Sequence, residues 1–139
     1  MTRTIKGLLG AAAVAVVTAM LGAGLAIPGS TEVCAAAAPK TSFAQDVMPI
    51  FKGRCVECHQ AGGAGFEKSG LDLSSYDGVM KGTKFGKMVI PKDPDSSNLL
   101  RLLDHRVAPE IRMPHGAKKL STCDRDEIRR WIREGALNN

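Results

Sequence analysis

The sequence predicts an all-α domain built from short helices that are joined by loops rich in glycine and proline. Apolar residues recur at spacings of three and four in several segments, whereas no alternating apolar and polar run is long enough for a useful strand. Glycines and prolines separate these helical segments, and no internal repeat is present. We therefore expect one small helical domain.

The N-terminal segment is typical of an exported chain. Arg3 and Lys6 are followed by an uncharged apolar stretch over residues 8–27, which is also long enough to span a bilayer. We predict that residues 1–38 are a signal peptide or an N-terminal membrane anchor and that residues 39–139 form the domain. The whole chain carries a formal net charge of +5. This mild excess of charge, without interleaved aromatic residues, makes nucleic acid an improbable partner.

The first predicted helix begins after Ser42, a good N-cap residue. Its apolar residues Phe43, Val47, Ile50 and Phe51 share one face. Because Pro49 interrupts this pattern, we expect a kink or a second helical start there. Gly62, Gly63 and Gly65 then predict a flexible turn with no clear helix after it.

Three further helices are expected along the rest of the chain. Ser74 or Ser75 caps a short helix that carries Tyr76, Val79 and Met80 and stops at Gly82. Asp93-Pro94 opens a helix that contains Leu99 and Leu103, and Pro109 and Pro114 enforce a loop after it. Ser121 caps the last helix, whose inner face carries Ile128, Trp131 and Ile132 and whose outer surface carries Arg125, Arg129, Arg130 and Arg133.

The pentapeptide Cys55-Val56-Glu57-Cys58-His59 carries the chemistry of the chain. Cys-x-x-Cys-His is the spacing that attaches a c-type haem, because each thiol can add across a haem vinyl group and the neighbouring imidazole can ligate the iron. A thioredoxin-like pair would require a preceding strand. A zinc site would recruit Cys123, His105 or His115, which lack a paired ligand spacing. A structural disulfide would be strained by the two-residue gap.

A family resemblance adds to this interpretation. The chain resembles a small class I cytochrome c, and more closely the planctomycete-type cytochrome c domain, over about residues 43–136. Besides the Cys-x-x-Cys-His motif, the resemblance is carried by short matching segments: Val47-Met48-Pro49-Ile50, Gly70-Leu71-Asp72-Leu73, residues 91–99, Arg112-Met113-Pro114 and Trp131-Ile132-Arg133-Glu134-Gly135-Ala136.

The resemblance implies a class I fold around one covalent haem c. Cys55 and Cys58 would attach the haem, His59 would be the proximal iron ligand and Met113 the distal ligand. It also implies electron transfer, and our main hypothesis is a one-electron carrier with no enzymatic activity. Because haem attachment of this kind requires the thiols to be delivered outside the cytoplasm, the N-terminal segment predicts the periplasm or an equivalent compartment. The position of Met113 in a proline-bounded loop before the last helix supports its role.

Other side chains compete with Met113 for the distal position. Met48, Met80 and Met88 also have thioethers, although each has a position typical of packing. His105 or His115 would give a bis-histidine haem, and Cys123, which departs from the family pattern, would give a thiolate-ligated haem. These alternatives describe a low-potential or gas-binding haem subunit, which could belong to a heteromeric complex.

Lysines cluster in the middle of the chain and again after Met113. They are Lys81, Lys84, Lys87 and Lys92, and then Lys118 and Lys119. Near an exposed haem edge such charges can steer docking. We therefore expect redox partner proteins with an acidic docking face.

Overall fold

Five short α-helices, a π-helical turn and a 3-10 turn form the regular structure of residues 40–139, which are the residues described by a computed structural model. The helices are α1 (Met48–Arg54), α2 (Ala64–Ser69), α3 (Tyr76–Lys81), α4 (Asn98–Leu103) and α5 (Thr122–Arg133). The π turn covers Phe43–Val47 and leads directly into α1, and the 3-10 turn covers Pro109–Ile111.

The all-α prediction is confirmed. Within residues 40–139 there is no strand, and the only β pairing is an isolated bridge between Thr83 and Gly86. The predicted signal peptide or anchor, residues 1–38, lies outside the described residues. In the described part of the chain no helix has the length and apolar character needed to cross a membrane.

The first helix starts and restarts where the sequence indicates. The Ser42 hydroxyl accepts a hydrogen bond from the backbone N–H of Gln45 at 3.2 Å, as an N-cap does. Pro49 lies in the first turn of α1, where proline is tolerated. The π turn thus precedes a second, α-helical start, which confirms the expected restart.

Two boundaries in the middle of the chain differ from expectation. The glycine-rich turn is followed by α2, which ends at Gly70 with a left-handed φ of 73°. Helix α4 begins at Asn98 and not at Asp93-Pro94. The Asp93 carboxylate instead accepts the N–H of Ser96 at 3.0 Å, and the buried Ser97 hydroxyl donates to the Asp93 carbonyl at 2.7 Å. Side-chain hydrogen bonds therefore stabilise a turn where the sequence indicated a helix.

Aromatic side chains join the two ends of the domain. The ring of Phe43 lies 5.2 Å, centroid to centroid, from those of both Tyr76 and Trp131. The Tyr76 hydroxyl donates to the Ala136 carbonyl at 2.8 Å, and the Trp131 indole N–H donates to the Leu137 carbonyl at 2.9 Å. Both polar groups are therefore paired, so these large side chains can be buried at little cost.

An ion-pair cluster connects the end of α4 to α5. Oδ1 of Asp104 lies 2.7 Å from Nη1 of Arg125, and Oδ2 lies 2.8 Å from Nη2 of Arg129. The Asp104 side chain is only 11% exposed. These two arginines thus face a neighbouring helix, whereas the sequence placed them on the outer surface. Burial raises the pKa of Asp104, but the hydrogen bonds and charges of the arginines outweigh it and hold the pKa below its ordinary value.

Replacement of Asp104 by asparagine tests this cluster. We expect the free energy of unfolding of Asp104→Asn to be lower by about 1–3 kcal/mol near neutral pH, because charged hydrogen bonds are lost. Since the folded-state pKa is depressed, this stabilisation is complete above the unfolded-state pKa of about 3.9 and is lost as the pH falls through the folded-state pKa. Urea denaturation across this pH range should show the difference from wild type shrinking under acidic conditions.

The matched control is Asp95→Asn, because Asp95 is exposed and forms no ion pair within the described residues. Its free energy of unfolding should stay within about 0.5 kcal/mol of wild type. A loss in Asp104→Asn that does not change with pH would contradict the ion-pair explanation.

Candidate functional site

A cavity of about 740 Å³ lies between the end of α1 and the loop that contains Met113. Its volume is within the range of small-molecule and cofactor sites, about 300–1,000 Å³. Much of its wall is apolar and comes from core side chains, namely Phe51, Leu71, Leu73, Met88, Leu99 and Leu103. Cys55, Cys58, His59 and Met113 lie on this same wall.

The Cys-x-x-Cys-His motif forms a tight turn directly after α1. The N–H of Cys55 donates to the Phe51 carbonyl at 2.8 Å, which continues the helical pattern by one residue. The Cys55 carbonyl then accepts the N–H groups of Cys58 and His59 at 3.1 and 3.0 Å. This turn brings both thiols and the imidazole to the cavity wall.

The two thiols are not joined to each other in a disulfide. Burial raises the pKa of Cys55 to about 11, against the opposing positive charge of Arg54. Cys55 is therefore protonated at neutral pH. A redox-active Cys-x-x-Cys pair instead depends on a thiol whose pKa is lowered, so this environment does not favour thiol-disulfide exchange.

The His59 imidazole is partly buried. Its Nδ1 atom is inaccessible to solvent and forms no hydrogen bond of ordinary geometry. Burial lowers the pKa of His59, and the backbone carbonyl of Leu71 opposes this effect because it favours the protonated ring. A neutral imidazole is the form that ligates a metal ion.

Two glycines allow the chain to fold back over the motif. A Cβ at Gly65, in α2, would lie 2.7–2.9 Å from ring atoms of His59. A Cβ at Gly63 would lie 2.5 Å from the Cys58 carbonyl oxygen. The glycine run therefore provides close approach to the imidazole, a role that sequence analysis missed because it depends on α2.

The rival sulfur ligands occupy different positions. Met113 and Met88 both line the cavity, whereas Met48 and Met80 do not. Met88 is 7% exposed and belongs to the hydrophobic core. Cys123 is absent from the cavity wall and is disulfide-bonded, so its sulfur is not the thiolate considered above.

The two rival histidines also separate. His115 is exposed and lines the cavity next to the Met113-Pro114 step. His105 does not line the cavity, and its Nε2 atom is 3.1 Å from the backbone carbonyl oxygen of Met113. From the sequence, His105 was a candidate ligand for haem iron or for zinc, and this contact with the Met113 backbone was not predicted.

One family model covers both the Cys-x-x-Cys-His motif and the loop that contains Met113. Residues 55–115 match the family model of Planctomycete cytochrome C. The match is consistent with a cytochrome c-type domain over this segment. No curated protein and no solved structure matches the chain.

The cytochrome c domain is consistent with covalently bound haem c and with electron transfer. The matched segment runs from Cys55 to His115 and is shorter than the resemblance over residues 43–136. The residues present fit a haem. Two thiols and an imidazole with an unpaired buried nitrogen share an apolar cavity, and a thioether lies on the same wall. Among residues 40–139, His, Cys, Asp and Glu side chains form no group of three suited to holding a metal ion, so nothing supports the zinc alternative.

Replacement of Gly65 by alanine should disturb the imidazole directly. The added methyl group requires His59 to move, and we expect the holoprotein to be destabilised by about 1–3 kcal/mol through overpacking. Haem content per polypeptide should also fall. Absorbance at the Soret band relative to protein concentration, together with urea denaturation, measures both effects.

Gly53→Ala is the matched control, because Gly53 lies in α1 and a Cβ there meets no atom within 4 Å. It should keep full haem content and gain about 0.5–1 kcal/mol from helix propensity. Equal haem content and equal stability in Gly65→Ala and wild type would show that the imidazole tolerates the methyl group.

Proposed function

We propose that this chain is a monohaem c-type cytochrome that carries one electron at a time outside the cytoplasm. Cys55 and Cys58 attach the haem, and His59 and Met113 ligate its iron. The observation that carries this proposal is the shared cavity wall, on which all four side chains lie. A bound haem supplies the ferric-ferrous couple, which exchanges an electron without breaking a bond in the polypeptide.

The motif side of the cavity supports His59 as the proximal ligand. Iron ligation by one imidazole nitrogen leaves the other to donate to a backbone carbonyl, which orients the ring. Nδ1 is inaccessible to solvent and has no hydrogen bond of ordinary geometry, while the Leu71 backbone favours the protonated ring. We therefore assign Nε2 to the iron. Gly65 keeps the chain close against the ring on this side.

The loop side of the cavity supplies the distal ligand. Met113 is half-buried, and its N–H donates to the Leu102 carbonyl at the end of α4 at 3.3 Å. A thioether is a soft ligand that raises the reduction potential of haem iron relative to bis-histidine ligation. If His59 and Met113 both ligated the iron, neither axial position would be left for a substrate, and for this reason we propose a carrier and not an enzyme.

The cavity rim suits an acidic redox partner. Arg54, Lys68, Lys87 and Arg101 line the cavity, and Glu110 is the acidic residue among its lining residues. Phe85, on the same rim, is 81% exposed and adds apolar contact area. A positive rim around an apolar centre favours an acidic docking face on the electron donor or acceptor. The proposed location outside the cytoplasm rests on the N-terminal sequence.

His115 gives a second candidate because it lines the same cavity beside Met113. Ligation by His59 and His115 would give a haem of lower potential. If neither side chain bound the iron firmly, the chain would be a gas-binding subunit.

Replacement of Met113 by leucine distinguishes these candidates. The ferric wild type should show a thioether-to-iron absorption band, and Met113→Leu should lose it and bind carbon monoxide readily once reduced. Met88→Leu is the matched control, because Met88 lines the cavity but belongs to the core, and it should keep the band. If Met113→Leu leaves the spectrum unchanged while His115→Ala alters it, His115 is the ligand and the His/Met proposal is wrong.

A further inference from the structure

The backbone of Met113 is held at both of its polar groups by the C-terminal end of α4. Its N–H donates to the Leu102 carbonyl at 3.3 Å, and its carbonyl oxygen lies 3.1 Å from Nε2 of His105. Because a carbonyl can only accept, the hydrogen of this bond belongs to Nε2. One side chain outside the cavity thus contacts the backbone of the residue that carries the thioether.

His105 occupies a position that normally favours glycine. Its φ is 62°, in the left-handed region, and it directly follows Asp104, the C-cap of α4. The N–H of His105 donates to the Leu102 carbonyl at 3.2 Å, and the N–H of Arg106 donates to the Arg101 carbonyl at 2.9 Å. These two bonds form a Schellman motif, in which glycine is the commonest residue at this position because it has no Cβ to strain.

Helix termination alone therefore does not require histidine at position 105. Asp104, the preceding residue, is fixed by Arg125 and Arg129 of α5, so the backbone that carries the imidazole is anchored to the rest of the fold. The imidazole then extends from this anchored turn to the Met113 carbonyl. A series of contacts therefore runs from α5 through the end of α4 to the Met113 loop.

We propose that His105 is a positioning residue that holds the Met113 loop against the cavity and thereby limits dissociation of the thioether from iron. The inference rests on the proposed function, because it assigns His105 a role through the iron ligand Met113. His105 contacts neither the cavity nor the iron. Its effect is on how often the loop opens, since each opening must break the hydrogen bond to the Met113 carbonyl.

The test compares His105→Gly with Lys92→Gly in the haem-loaded protein. Glycine at position 105 removes the imidazole and also relieves the left-handed strain, so helix termination is preserved. Lys92 is exposed, has a φ of 69° and lies outside the Met113 loop, which makes it a matched replacement at a second left-handed position. His105→Gln keeps an N–H donor at a comparable reach.

Two rates are measured: displacement of the thioether by added cyanide in the ferric protein, and hydrogen exchange of the Met113 amide. We expect both to be about three- to tenfold faster in His105→Gly, as loss of one hydrogen bond implies. Lys92→Gly should match wild type in both rates, and His105→Gln should recover part of the difference. Urea denaturation of the two glycine variants should show no loss of global stability that could account for faster opening.

Equal rates in His105→Gly, Lys92→Gly and wild type would overturn the inference while leaving Met113 as a ligand. Failure of the proposed function looks different, because Met113→Leu would then keep the wild-type spectrum and cyanide binding would not depend on Met113. That outcome would also overturn the role of His105 as a positioning residue for an iron ligand.

Discussion

The hydrophobic core of this domain is built around a cavity, which lies between the Cys-x-x-Cys-His motif and the loop that contains Met113. Phe51, Leu71, Leu99 and Leu103 are buried core residues, yet each also lines this cavity of about 740 Å³. A small domain has little apolar surface to bury and is only marginally stable. A flat apolar cofactor bound at this wall would add contacts that the chain itself does not make, and its binding would then be coupled to folding.

The two sides of the cavity are supported in different ways. The motif side follows α1, and the π turn before α1 is tied to the C-terminal segment through Asn139, whose carbonyl accepts the N–H of Ala44 at 3.0 Å. The loop side depends on Asp104 and its arginines, which fix the end of α4, and on His105, which contacts Met113. The motif side is therefore held by packing and backbone hydrogen bonds, whereas the loop side is held by a series of polar contacts.

Local signals in the sequence predicted the features that local chemistry determines. Ser42, Ser75 and Ser121 each accept a backbone N–H at the start of a helix, and the family that the motif predicts matches residues 55–115. The sequence did not predict α2, the start of α4 or the contacts of Arg125 and Arg129. These features depend on tertiary partners. Helix α2 packs Gly65 against His59, and the acidic partner of the two arginines, Asp104, lies on a different element at the end of α4. The contact of His105 was not predicted for the same reason, because its partner is the backbone carbonyl of Met113, eight residues away.

The intact mass of the purified protein under denaturing conditions decides whether haem is covalently attached. We expect a polypeptide that carries the added mass of one haem, and loss of that added mass when Cys55 and Cys58 are both replaced by alanine. A wild-type protein with the mass of the unmodified polypeptide would contradict covalent attachment.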